Sequence, residues 1–243
     1  MLSALGRFGF VLMVPLLLVS GSLAYAVNEE RLYAWGFRQY DVAHQVQLTE
    51  VELRLVARGM IGYFNGGEGW EWNLVPRDGG MADLFNQREK QHLADVKGLI
   101  WLDYRVLGFS IAMWLTYGWV GVWRKGRAFG RRLAEDMLCG SIVTLVLLGG
   151  VGLLLVFAFE QLFWQFHLLS FANDLWQLDP ARDRLIRMFP PDFFLGAAAI
   201  VAGLVALKAA ILGGVSFAYL HREQRNQAKA FLRPTPGPEM GSK

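Results

Sequence analysis

The chain has 243 residues, a formal net charge of +3 and a mean hydropathy of +0.30; 54% of its residues are hydrophobic, 14% aromatic and 19% charged. These values exclude a disordered tail, a collagen-like repeat and a disulfide-rich secreted module. Charge is absent from stretches of span length and dense between them, a pattern that points to a membrane rather than to a soluble domain.

Four windows carry the pattern. Residues 8–27 and 137–159 contain no charge, residues 106–123 contain none, and residues 193–220 contain only Lys208. Each can cross roughly 30 Å of hydrocarbon as a helix. Unpaired backbone groups are costly in lipid, so these runs are expected as helices. The expected fold class is all-α, a polytopic membrane protein with four transmembrane helices at about 8–27, 100–123, 137–160 and 193–220. A helical extracytoplasmic subdomain is expected between the first two. The first window, with Arg7 before it and Ala24-Tyr25-Ala26 near its end, also matches a secretory signal. Its span-length run and the three spans after it favour a retained helix, and in either case the chain emerges outside after Val27.

Basic residues in short loops set the orientation. Residues 124–136 (RKGRAFGRRLAED) hold five Lys or Arg, and Arg222, Arg225, Lys229 and Arg233 follow the fourth span. Both segments are expected in the cytoplasm, with the termini. Residues 28–98 carry eight Lys or Arg against eleven Asp or Glu and are expected outside, as are residues 164–192. The pI near 9.1 therefore reflects membrane topology and anionic phospholipid, and no nucleic-acid partner is expected. A single cysteine, Cys139, excludes an intramolecular disulfide and is read as packing.

Within residues 28–98, Thr49 and Glu52 have capping-box spacing ahead of VELRLVARGMIGYF, which predicts one amphipathic helix ending near Asn65. The following GGEGWEWNLVPRDGG reads as a loop or short hairpin with Trp70 and Trp72 at the interface. Asn86 and Glu89 again have capping spacing and start a helix that continues into the second span. Asp179 followed by Pro180 predicts a short helix over ARDRLIRMF, stopped by Pro190 and Pro191. Lys208 is expected to snorkel or to pair inside its span. The segment 1–220 reads as a single integral membrane domain, and residues 221–243 as a largely disordered cytoplasmic tail.

Of the four histidines, His44, His92, His167 and His221, two arrive together by topology. His92 precedes the second span and His167 follows the third, so both stand at the outer interface. Histidine suits proton transfer near neutral pH. Glu89, His92 and Asp95 are spaced by three and share one helix face, so either carboxylate could orient the imidazole. GxSxG, HExxH, Walker A and GxGxxG patterns do not occur.

Three segments in this order, LTEVELRLVARGMIGYF, LFNQREKQHLADVKGL and FHLLSFANDLWQLDPARDRLIRMFPPDFF, resemble the bacterial lipoprotein intramolecular transacylase (Lit) family. The carrying pattern is RExxHLxDVK, then FHxLxF, then LDPxxDxLIxxFPxxFF. The resemblance implies an acyltransferase at the outer face of the cytoplasmic membrane whose partner is a diacylated bacterial lipoprotein. It moves the sn-2 acyl chain of the S-diacylglyceryl cysteine to the α-amino group and needs no cofactor and no metal. The matching catalytic residues are His92 and His167. His92 is expected as base, oriented by Asp95 or Glu89, and His167 as acid or oxyanion electrophile, with exchange of roles allowed. Lys97, Tyr104, Asp179 and Asp183 form a second tier. Two other readings stay open: a noncatalytic scaffold or envelope sensor binding through Trp70 and Trp72, and a membrane metallohydrolase using His92, Asp95 and His167.

Overall fold

A computed structural model describes residues 4–77 and 80–231. Three helical stretches are long and apolar enough to cross a membrane: Ala4–Asn28, residues 87–170 and Pro191–Lys229. The middle stretch covers 84 residues and would extend to roughly 126 Å if straight. It is instead folded back on itself.

Helix α1 (Ala4–Asn28) leads into α2 (Glu30–Gln39), α3 (Val42–Val46) and α4 (Glu50–Phe64), then a hairpin of β1 (Leu74–Arg77) and β2 (Gly80–Asp83). Two long helices follow, α5 (Gln87–Lys125) and α6 (Phe129–Ser170), then the one-turn α7 (Leu185–Met188) and α8 (Pro191–Phe231). The chain reverses between α5 and α6 at Gly126, whose φ of +56° is the left-handed region that glycine occupies without a Cβ penalty. At this end Tyr117 of α5 donates to the buried carboxylate of Asp136 on α6, and Phe129 packs against Gly121 with no room for a Cβ. At the far end of the same two helices His92 and His167 meet. The two arms are therefore antiparallel.

Helix α1 packs against α5, α6 and α8. Val14 presses on Gly140 of α6, and the Phe10 ring stacks on Tyr117 at 4.4 Å. Arg7 closes this end with a 2.7 Å ion pair to Asp136. Lys208 neither stays free nor leaves its span: its ammonium donates to Ser22 Oγ on α1 at 3.0 Å, a paired position. Much of the apolar surface of α5, α6 and α8 faces outward, including Phe109, Leu115, Val146, Leu154 and Val215, as on a surface made for lipid.

Above this bundle the second core is built by α2 to α4, the hairpin and α7, around Tyr33, Phe37, Val56, Phe85, Met188 and Phe189. Both predicted capping boxes form, at Thr49 with Glu52 and at Asn86 with Glu89, each side chain accepting the other residue's backbone N–H. The Gly-rich stretch forms a short 3-10 turn and the hairpin, paired Val75 to Ala82.

One stretch was not anticipated and two expectations are corrected. Residues 30–46 hold two helices that spacing did not reveal. The segment after Pro180 is helical only over Leu185–Met188, because the Asp183 carboxylate turns back to accept from the backbone N–H of Asp179 at 2.7 Å and occupies the turn that a longer helix would need. Residues 221–231, the first part of the tail expected to be largely disordered, continue α8, and residues 232–243 lie outside the described residues.

The Arg7–Asp136 pair supports a stability prediction. Arg7→Ala leaves a carboxylate that is 1% exposed with only Tyr117, and the cost is about 1–3 kcal/mol. The thermal midpoint of the detergent-solubilised protein falls, while Arg131→Ala, removing an exposed pair with Glu135, leaves it within error.

Candidate active site

The first turn of α5 is held by buried polar groups, and this fixes where His92 stands. Asn73 is fully buried, accepts from the Phe85 N–H at 2.8 Å and donates to the Asp83 carboxylate, tying the hairpin to the helix start. Glu89 is 1% exposed and accepts from the backbone N–H of Asn86 at 2.7 Å and of Leu185 at 2.6 Å. Burial raises its pKa above the ordinary carboxylate value, and these backbone donors pull the other way. Glu89 thus joins α5 to α7 and does not orient His92, which corrects the role given to it from spacing alone.

His92 and His167 are brought together from the outer ends of α5 and α6, with ring centroids 6.2 Å apart and planes at 31°. Both are 8% exposed. The apolar windows end short of both residues, so the pair stands at the mouth of the bundle. His167 Nδ1 lies 2.7 Å from the carbonyl oxygen of Phe163. A carbonyl oxygen only accepts, so Nδ1 carries the proton and Nε2 keeps the lone pair. The Nδ1 of His92 is buried without a hydrogen-bond partner among the described residues. Burial pushes His92 down to about 4, helped by the neighbouring His167 and opposed by Asp95, and burial also lowers His167. Both rings are neutral at physiological pH.

Aromatic rings wall the pair. Phe171 stands 5.0 Å from His92 and 5.5 Å from His167, Trp176 4.9 Å from His167, and Phe163 4.4 Å from it. Asp95 acts on His92 through its charge; its carboxylate accepts from Asn173 Nδ2 at 2.9 Å. Arg88, one turn before His92, donates to the backbone carbonyls of Asp174 and Gln177. Arg88 opens the RExxHLxDVK pattern and Phe171 closes FHxLxF, whereas Asn173 and Trp176 carry no spacing signal, and only the aromatic density beside His167 could have drawn attention to them.

The second-tier residues are not at the rings. Lys97 donates to the Gly67 carbonyl and lies 4.2 Å over the Tyr63 ring, and the Tyr104 hydroxyl bonds Asn65 and Asn28. Both fasten α5 to the outer core. Asp183, 1% exposed, accepts from Asn86 Nδ2 at 2.8 Å, and Asp179 accepts from the Ala181 N–H. Among the described residues no group of three or more His, Cys, Asp and Glu is gathered for a metal, so His92, Asp95 and His167 do not form a ligand set. Trp70 and Trp72 pack on each other at 5.5 Å, and Trp72 meets Phe85; both are half-buried against the outer core.

The cap makes a second prediction. Glu89→Ala leaves two backbone donors unpaired and costs about 2–5 kcal/mol, whereas Glu89→Gln keeps an acceptor oxygen and loses less. Thermal melts of both variants check the order; equal melts would mean that the carboxylate is not the link.

Comparison with known proteins shows the family and the fold. The family described as lipoprotein intramolecular transacylase Lit matches residues 8–194. No curated protein matches the chain. The fold is similar to that of the membrane integral lipoprotein intramolecular transacylase Lit from Bacillus cereus, at 22% identity over 91% of this chain and 96% of that one, with a TM-score of 0.74. Two variants of that protein, with one histidine replaced by arginine or by alanine, are similar at 21% identity; they cover 92% and 91% of this chain and 93% and 94% of their own, with TM-scores of 0.71 and 0.70.

Proposed function

Because the chain belongs to the lipoprotein intramolecular transacylase family and is an acyltransferase of the membrane, we propose that the paired imidazoles of His92 and His167 move the sn-2 acyl chain of a diacylated lipoprotein to its own α-amine. The observation that carries the reading is the meeting of two neutral, buried histidines, one with a fixed tautomer, at the mouth of an apolar bundle.

The substrate is an S-diacylglyceryl cysteine with a free N-terminal ammonium. The ammonium loses one proton, the neutral amine attacks the sn-2 ester carbonyl, the nitrogen gives up a second proton as the bond from that carbon to the glycerol oxygen breaks, and the glycerol oxygen takes that proton. An amide and a glycerol hydroxyl result, at unchanged mass. Amine and ester sit in one molecule, so orientation can lower the barrier by up to roughly 7–11 kcal/mol. No protein nucleophile is required.

Tautomer and burial support an exchange of the roles expected from the motif. His167 presents the Nε2 lone pair and accepts the ammonium proton. His92, kept neutral, offers a ring N–H to the developing oxyanion and to the departing glycerol oxygen, as a neutral imidazole can. Asp95 stabilises positive charge that reaches His92.

The finer topology belongs to the same proposal: one membrane domain over 1–220, crossing four times, with α5 and α6 as separate crossings. The hairpin turn holds Arg124, Lys125, Arg127, Arg131 and Arg132, opposite the histidines along the helix axes. That asymmetry supports termini in the cytoplasm and the site on the outer face of a bacterial cytoplasmic membrane, with helices 2 to 4 as an extracytoplasmic subdomain. The packing of α1 on α5 and α6 supports a retained first span. Anionic phospholipid suits the basic turn.

The test is mass spectrometry of an N-terminal lipopeptide after expression in a host that leaves lipoproteins diacylated. The expected product is the isomer with one acyl chain on nitrogen, absent with His92→Gln and His167→Gln in membranes holding folded protein. An unaltered diacylglyceryl peptide would reject the reaction, and a fully active histidine variant would remove that histidine from it.

A pH prediction follows from burial. Burial holds both rings below the ordinary value of about 6.5, with His92 at about 4, so the loss of turnover that comes from protonating this pair lies below pH 6.5. Over the same interval the unfolded chain takes up protons that the folded chain does not, so stability falls with pH. Turnover halved near pH 6.5 would contradict neutral, buried rings.

A further inference from the structure

We infer that residues 171–178 form a strap, fastened to α5 on both sides of His92, that decides whether the acyl group is taken by the amine or by water. The inference rests on the transacylase reading above.

Arg88, His92 and Asp95 stand four and three residues apart and share one face of α5. The strap is attached through the two residues that flank the histidine. Arg88 donates to the carbonyl oxygens of Asp174 and Gln177, and Asn173 Nδ2 donates to Asp95 at 2.9 Å. The Asn173 amide is itself oriented, since its oxygen accepts the Leu175 N–H at 3.0 Å. Between the fastenings the chain lays Phe171 against both imidazoles and Trp176 against His167. Trp164 of α6 braces Trp176 edge-on at 4.7 Å.

Chemistry makes such a cover consequential. A base that activates an amine also activates water. If a water oxygen attacks the same ester carbonyl, the bond to the glycerol oxygen breaks, that oxygen takes a proton, and the acyl group leaves as a free fatty acid with the α-amine unmodified. Transfer prevails only where the tethered amine is present and water is kept out. Phe171 and Trp176 supply the apolar cover, and Arg88 and Asn173 keep it shut. These two are positioning residues that touch the strap and α5 rather than the reacting atoms.

The test uses the full chain in lipid nanodiscs with a synthetic diacylated lipopeptide in water enriched in oxygen-18. The N-acyl isomer and the labelled free fatty acid are quantified together. Asn173→Ala and Arg88→Ala each raise the labelled acid as a share of all ester cleaved, on the order of tenfold, the effect of losing one charge-assisted hydrogen bond on an opening equilibrium. The exchange of Asn173→Asp with Asp95→Asn restores a donor and an acceptor across the same gap and returns the share towards that of the unaltered chain. An unchanged share in both single variants would overturn the strap's role, and so would a parallel loss of both products in every variant, since a purely structural loop gives that result. Absence of the N-acyl isomer from the unaltered chain would instead reject the transacylase reading itself.

Discussion

Everything about the site depends on two long helices reaching the same height. Taking Arg127 as the centre of the turn, His92 lies 35 residues before it and His167 lies 40 after it. At 1.5 Å per residue the arms differ by about 8 Å. The longer arm is the one that departs from helical geometry, at Ala158 with φ −140° and ψ 31°, nine residues before His167. A bend there shortens the arm along the bundle axis, and the rings meet at 6.2 Å. Gly126 makes the reversal possible, and the Arg7–Asp136–Tyr117 group pins the base of the hairpin so that its open end has a defined spacing.

The outer core is the second half of that constraint. A carboxylate beside a candidate catalytic histidine invites a catalytic assignment, yet Glu89 spends both oxygens on backbone N–H groups and gives none to His92. Its effect on chemistry is mechanical. It fixes the first turn of α5 to the segment that enters α8, while Lys97, Trp101 and Tyr104 fix the next turns to the end of α4. With the helix held along its length, the imidazoles can be buried and neutral without losing their alignment, and a neutral pair can both accept and donate at the pH of an envelope.

Much of this was legible in the sequence, for physical reasons that differ by residue. The uncharged windows follow from the cost of charge in hydrocarbon, and the capping boxes at Thr49 and Asn86 follow from local backbone needs, so both are written within a few residues. The placing of His92 and His167 at the same end of the bundle follows from the order of the spans alone. The missed elements depend on distant partners. Helix 30–39 is ordered by Tyr33 and Phe37 packing on Phe189, and helix 42–46 is one turn held between left-handed Asp41 and Gln47. The partners Leu185 and Asn173, 96 and 78 residues from Glu89 and Asp95, have no local signature. Family resemblance named the histidines; only packing showed which nitrogen of His167 is free.

The central claim is that acyl donor and amine acceptor belong to one molecule held at this histidine pair, and a crossover experiment tests it most directly. Two diacylated lipopeptides, one labelled heavy in its peptide and the other heavy in its acyl chains, are mixed with the protein in nanodiscs and the N-acylated products are weighed. The account predicts two product masses, each equal to that of its own substrate. Products of mixed mass, carrying a heavy acyl chain on the nitrogen of the heavy peptide, would show transfer between molecules and contradict it.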